Sequence, residues 1–211
     1  MVHWAVMSRI LAIVLFALGV GATLPTWALE FTADRITQID GRTSKDALYY
    51  RDDMWRIEHH ARGPVTVSIV RKDQRVVWLL LSRIRHFQTV PYSGEQDLMV
   101  TEKLEGEVSR EEIGQETREG HPMILYEVTT KQGERTEIYY QWWATDIRFP
   151  MKLVKKDSSW SVEYQHVKMR SLSDSLFQLP MYFRALEEAN QALQALKSGS
   201  FQGAAVLSIS A

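Results

Sequence analysis

The chain has 211 residues with 25 basic and 26 acidic side chains, a formal charge of −1, and no cysteine. That balance offers no basic stripe of the kind that neutralises nucleic-acid phosphates. The absence of thiols excludes disulfides, zinc-thiolate sites and the lipid-bearing cysteine that a bacterial lipoprotein carries just after its signal. In chain order the first element is an uncharged stretch, Ile10 to Leu29, that follows Arg9 and contains Gly19, Gly21 and Pro25. With small residues at Thr26 and Ala28 it reads as a signal peptide, residues 1–28, cleaved after Ala28. The competing reading is a retained anchor, because an apolar run of roughly 20 residues can span a bilayer. Export to the periplasm is expected, with full secretion as the alternative.

From "LEFTADR" onward the dominant pattern is short β-type segments between turn signals. Residues 30–40 are followed by "DGR", then by "ALYYR", "MWRIEHH" and "VTVSIVR". The polar turn "RKDQR" precedes "VVWLLL" and "RHFQTV". Further on come "PMILYEVTT", "RTEIYYQWWA", "FPMKLVKK" and "SWSVEYQHVKM". Strands at this spacing predict an antiparallel meander in a single domain over 29–184, and a sheet of about ten strands twists enough to curl.

Alternation assigns faces. On 136–144 it puts Ile138, Tyr140 and Trp142 inward and Glu137, Tyr139, Gln141 and Trp143 outward. Elsewhere it puts Trp55 and Ile57, then Val65, Val67 and Ile69, then Ile124, Tyr126 and Val128, then Trp160, Val162, Tyr164 and His166 inward. "VVWLLL", Val76 to Leu81, is apolar on both faces, so both must be covered. Two segments are candidates for that cover. Glu95 to Gly114 is rich in helix formers and could fold across the sheet or barrel mouth. Residues 185–198 carry Leu186, Ala189, Leu193 and Leu196 at helical spacing before Gly199, a C-terminal amphipathic helix expected to dock on the sheet, with a flexible tail at 199–211.

The fold class expected is therefore mainly β (α+β): a curled antiparallel sheet forming an unclosed β-barrel with helical cover and a C-terminal helix. Inward aromatics from different strands could line an apolar hollow rather than only fill a core. The candidate ligand-contacting set is Trp55, Trp78, Tyr126, Tyr140, Trp142, Trp160 and Tyr164.

"VVWLLL" before an aromatic-Pro segment, "EIGQETREGHPMILYEV", "YYQWWATDIRFPMKL" and "DSLFQLP" together resemble the periplasmic outer-membrane lipoprotein-sorting-like proteins of the LolA, LolB, RseB and LppX superfamily. The resemblance covers most of residues 30–184. It implies an unclosed β-barrel whose concave apolar face, partly plugged by helices, holds acyl chains or binds partner proteins. One departure is the start: the typical carrier has a helix before its first strand, whereas this chain enters directly with "FTADRITQI". No carrier's ligand contacts transfer to identifiable positions.

No nucleophile elbow, zinc-protease helix, phosphate loop or dinucleotide fingerprint is present. His59 and His60 are adjacent on a strand and point to opposite faces, which spoils joint chelation; His121 stands alone. Glu111, Glu112 and Glu116 read as a solvated acidic face. The functional expectation is a non-enzymatic periplasmic carrier or binding protein for lipid or acylated protein ligands, without cofactor or metal and without nucleic acid. Transient membrane contact is compatible with that role. The alternative is an envelope protein-interaction or sensing module on the same fold.

Overall fold

The computed structural model describes residues 28–60, 63–94, 99–187 and 190–191. The segment read as a signal peptide, apart from Ala28, lies outside the described residues, as does most of 185–211. Within them the chain forms twelve strands: β1 (Glu30–Ile39), β2 (Arg42–Arg51), β3 (Met54–His59), β4 (Val67–Arg71), β5 (Val76–Leu81), β6 (His86–Pro91), β7 (Glu107–Arg118), β8 (His121–Gln132), β9 (Arg135–Ala144), β10 (Phe149–Lys155), β11 (Trp160–Met169) and the two-residue β12 (Arg184–Ala185). They make one curled sheet in the order β12-β6-β5-β4-β3-β2-β1-β11-β10-β9-β8-β7. It is not closed, and β12 and β7 are its edges. The meander expected from the turn spacing accounts for all neighbours except the antiparallel β1–β11 seam and the parallel β12–β6 pair.

Local chemistry explains the hairpins. Asp40 and Gly41 both have positive φ, 47° and 77°, as a two-residue turn matching the strand twist requires. "RKDQR" closes β4 to β5 through a short 3-10 turn, Lys72–Gln74, with Arg75 left-handed. Gly106 enters β7 at φ +71°, where a Cβ would stand 2.6 Å from the Lys131 carbonyl, so no side chain fits.

Two expectations are corrected. Residues 107–114 are strand, not helix: β7 pairs with β8 from Glu107 to Arg118. Its helix-forming, charged composition belongs to an edge strand largely exposed on both faces, where charge discourages edge-to-edge pairing and removes the alternation that marks a half-buried strand. Apart from Gly94, the described residues of the cover between 92 and 106 and between 172 and 183 are not α-helical. Inside, Met99, Val100 and Leu104 of the β6–β7 connection pack on the main core cluster. Outside, an irregular strap from Leu172 to Phe183, including the 3-10 turn Asp174–Phe177, lies over β3 to β6. Arg51, Arg56 and Arg71 donate to the carbonyls of Leu172, Leu176 and Phe177, and the Arg51 guanidinium lies 5.0 Å from the Phe177 ring centre. Of the expected helix 185–198, Ala185 belongs instead to β12, and the other described residues, Leu186, Glu187, Asn190 and Gln191, have helical backbone.

Both faces of "VVWLLL" are covered, as expected. Val77 joins the inner cluster, whereas Leu80 packs with Val67, Ile69 and Phe183 on the outer side. Val67 and Ile69, expected to face the inner hollow, belong to that outer cluster because the strap provides a second apolar environment for alternate residues of β4. Leu80 is 2% exposed. Leu80→Asp should lower unfolding free energy by about 3 kcal/mol or more, since it buries an unpaired carboxylate under the strap. Chemical denaturation measures this, and a near-wild-type midpoint would mean the strap is not a fixed cover.

Candidate functional site

Antiparallel succession places the ends of β1, β3, β5, β8 and β10 on one rim of the half-barrel, called here the upper rim, and the ends of β2, β4, β7 and β9 on the lower. Toward the lower rim the inner face is filled by aromatic rings from several strands. Phe31 stacks on Tyr50 at 5.0 Å, and Phe149 meets Phe31, Tyr50 and Tyr164 edge-on at 4.8, 4.9 and 5.1 Å. Trp55 lies 6.3 Å from Tyr50 and 6.4 Å from Tyr92. These are favourable aromatic geometries, and they leave that half of the hollow occupied by the protein itself.

Over the centre of the inner face runs the connection 99–104, held by one arginine. Arg110 of β7 donates from Nη1 to Gln141 Oε1 at 2.8 Å, from Nε and Nη2 to the two Glu107 oxygens at 2.9 Å each, and from Nη2 to the Glu102 carbonyl. Gln141 Nε2 donates to the Thr101 carbonyl at 3.0 Å, the Leu104 N–H donates to Glu107 at 3.0 Å, and the Tyr164 hydroxyl donates to the Met99 carbonyl at 2.8 Å. Burial pushes the Glu107 carboxyl up, but the Arg110 and Leu104 hydrogen bonds outweigh it and leave the group below its ordinary range.

Toward the upper rim the inner face stays open as a cleft of about 430 Å³, at the small end of ligand-sized pockets. Ile39, Met99, Tyr139 and Trp160 give it apolar walls; Arg35, Thr37, Glu105, Arg135 and Glu137 give it polar ones. Most of the charge is internally matched. Arg35 pairs with Asp46 at 3.1 Å, and Glu137 is held by Arg135 at 2.7 Å and Lys155 at 2.9 Å. The Tyr139 hydroxyl donates to Glu137 at 2.5 Å; burial and that carboxylate raise the phenol well above its ordinary value. Two buried polar atoms of the lining have no partner: Arg35 Nε and Thr37 Oγ1. They sit two residues apart on the inner face of β1, and Thr37 is 6% exposed. Such orphans are uncommon inside folded proteins and each needs an explanation.

The candidate residues are distributed unevenly. Trp160 lines the cleft. Trp55 and Tyr164 are buried in the ring cluster, and Tyr126 packs on that core beneath the Arg110 guanidinium, 4.7 Å away. Trp78 packs on the outer cluster with Phe87 and Leu179. The parity assigned to β9 is corrected in part. Tyr139 and Gln141 are on the buried inner face, Trp143 is buried, and Tyr140 is half-buried beneath Lys156 at 5.7 Å, whereas Trp142, half-buried beneath Lys152 at 5.4 Å, packs against the main core cluster. Gln141 turns inward at no cost because Arg110 and Thr101 satisfy its amide, and lysine stems shield the half-buried rings. His166 is also corrected: it is exposed at φ 53°, where a bulge between β1 and β11 turns it outward to Asp34 at 2.8 Å. Arg35 and Thr37 were missed because "ADRITQ" shows polar residues at inward positions, a pattern that reads as solvent-facing until a cleft is known.

A histidine arrangement lies beside the cleft. His59 Nε2 meets Ser68 Oγ at 2.8 Å, and His59 Nδ1 stands 3.6 Å from Asp46. The second distance is too long for a hydrogen bond, Asp46 is already engaged by Arg35, and neither Ser68 nor His59 lines the cleft. His60 is exposed beside it, with Nδ1 3.2 Å from the Lys45 carbonyl. Among the described residues no group of three His, Asp or Glu could hold a metal ion. Burial lowers the His59 imidazole below its ordinary 6.5, with Asp46 opposing and Arg35 adding to the lowering. The folded state therefore binds this proton less readily than the unfolded chain, and folding loses stability as pH falls below about 6.5. His59→Gln, which keeps a hydrogen bond to Ser68, should flatten the loss of melting temperature between about pH 7 and pH 5 and leave the steeper fall near about pH 4, where carboxylates protonate. Identical profiles for both proteins would remove His59 from that dependence.

No protein-family model matches the chain, and no curated protein is similar to it in sequence. Similar solved structures exist. An uncharacterized conserved protein from Thermus thermophilus has 11% identity, 76% of this chain and 91% of that chain covered, and a TM-score of 0.52. The lipoprotein LppX from Mycobacterium tuberculosis has 9% identity, coverage of 68% and 89%, and a TM-score of 0.40. A LolA superfamily protein from Nitrosomonas europaea has 10% identity, coverage of 74% and 91%, and a TM-score of 0.36. The match to the Thermus thermophilus protein is a likeness of fold.

Proposed function

We propose that the protein is a non-enzymatic binding protein of the cell envelope that holds an acyl-bearing ligand, lipid or acylated protein, in the upper cleft. The observation that carries this reading is the coexistence of an apolar wall, Ile39, Met99, Tyr139 and Trp160, with the two unpartnered donors Arg35 Nε and Thr37 Oγ1. A ligand with a hydrocarbon segment and an ester, amide or carboxylate oxygen satisfies both: the chain covers the wall, and the oxygen accepts from Arg35 and Thr37 once small side-chain shifts bring these two buried atoms to the cleft surface. Because Arg35 keeps Asp46 as counter-ion, the site does not require a fully charged head group. The N-terminal segment supports export, with cleavage after Ala28 and a periplasmic location. The unpaired outer edge of β7 supports a second reading, a protein-interaction module, in which an envelope partner adds a strand to that edge.

Binding of a fluorescent fatty-acyl probe tests the first reading. Trp160→Ala should weaken binding by about tenfold or more, because it removes one of the largest apolar surfaces of the wall. Thr37→Val, nearly isosteric, should weaken it by about threefold to tenfold through loss of one hydrogen bond. Trp78→Ala, in the outer cluster, should leave affinity unchanged. Equal losses in all three, or no probe bound by the wild type, would overturn the cleft assignment and favour the edge.

A further inference from the structure

The largest exposed apolar side chains are not scattered evenly. Met181 is 102% exposed, Tyr182 67% and Ile84 53%, and the topology brings these three to one place. β12 runs parallel to β6 with Arg184 opposite His86, so the residues preceding β12 and those preceding β6 leave the sheet at the same corner of the upper rim. Both segments are tight and tied together. Ile84 and Arg85 N–H donate back to Leu81 and Ser82 at 3.1 and 3.3 Å, Phe183 N–H donates to Pro180 at 3.0 Å, and Arg184 N–H donates to the Arg85 carbonyl at 3.0 Å. Phe183 is buried under Tyr182, with ring centres 5.1 Å apart, and anchors the tip to the outer cluster. Arg83, Arg85 and Arg184 surround it, all exposed and none ion-paired with a described residue. The nearest acidic residue along either segment is Glu187, three positions beyond Arg184.

We infer that this corner docks the protein on an anionic phospholipid surface. Three projecting apolar side chains on a rigid support, ringed by unpaired guanidiniums, match a bilayer that offers phosphates at the surface and hydrocarbon just below. The cleft opens on the same rim, so docking here would bring its mouth to the membrane. The inference rests on the rim's own composition and holds whatever the cleft contains.

Flotation with lipid vesicles tests it, using the protein as recovered from its own cell so that the N-terminal segment is the same in every variant. The wild type should float with vesicles of phosphatidylglycerol and phosphatidylethanolamine in equal parts and not with phosphatidylcholine alone, and added salt should weaken the binding. Each arginine near such a surface contributes about fivefold, so the triple variant Arg83→Gln, Arg85→Gln, Arg184→Gln should bind on the order of 100-fold more weakly. Met181→Ser with Tyr182→Ser should lose on the order of tenfold, and Arg148→Gln, exposed on the lower rim, should lose nothing. Near-ultraviolet circular dichroism establishes that the variants are folded, and unchanged acyl-probe binding by the triple variant separates this test from that of the cleft. Equal flotation with both vesicle types, flotation with neither, or full binding by the triple variant would overturn the inference, as would capture of a protein at this corner in place of lipid.

Discussion

The Arg110 guanidinium is the interaction on which the inner face depends. A curled, unclosed sheet with an apolar concave side cannot leave that side in water, and the chain covers it with a connection whose described part over the sheet, 99–104, is irregular. Arg110 supplies what is missing: it grips Glu107 with two donors, reaches the Glu102 carbonyl, and orients Gln141 to hold the Thr101 carbonyl. Hydrogen bonds to charged groups contribute about 1.5–3 kcal/mol each, and the Glu107 carboxylate and Gln141 amide at the centre of the network are largely shielded from water. The same network sets the parity of β9. With Gln141 inside, Tyr139 must be inside and Tyr140 outside, because a strand cannot turn one residue without turning its alternate neighbours.

That constraint divides the hollow. Below the covered centre, rings from β1, β2, β3, β10 and β11 occupy the space; above it, the cleft remains between Trp160, Tyr139 and the outer end of β1. The half-barrel is therefore neither an empty carrier nor a solid core. Its amphipathic lining and its two unpartnered donors lie on the rim that also carries the basic, apolar corner formed by the β5–β6 turn and the strap. The proposed ligand site and the proposed docking corner thus lie on the same rim.

The strand meander was legible because its turns have local causes: Asp40-Gly41 needs positive φ, "RKDQR" has no apolar residue to bury, and "VVWLLL" announces cover on both sides. Three features were not legible, each because a distant partner overrides local pattern. Gln141 looks solvent-facing until Arg110, thirty-one residues away, is seen to satisfy it. β7 looks helical because an edge strand needs no apolar face. The strap reads as irregular sequence until Arg51, Arg56 and Arg71 are seen to bind its carbonyls. Arg35 and Thr37 stayed hidden for the complementary reason: unsatisfied atoms are visible only once all neighbours are placed.

Native mass spectrometry of the protein purified from its own cell, under conditions that preserve non-covalent complexes, tests the central claim that the upper cleft holds one acyl-bearing molecule. The account predicts a polypeptide carrying a single adduct that collisional activation releases as a lipid or acylated species, and an adduct diminished in Trp160→Ala. A wild-type protein that arrives bare and remains bare after incubation with fatty acid would contradict it.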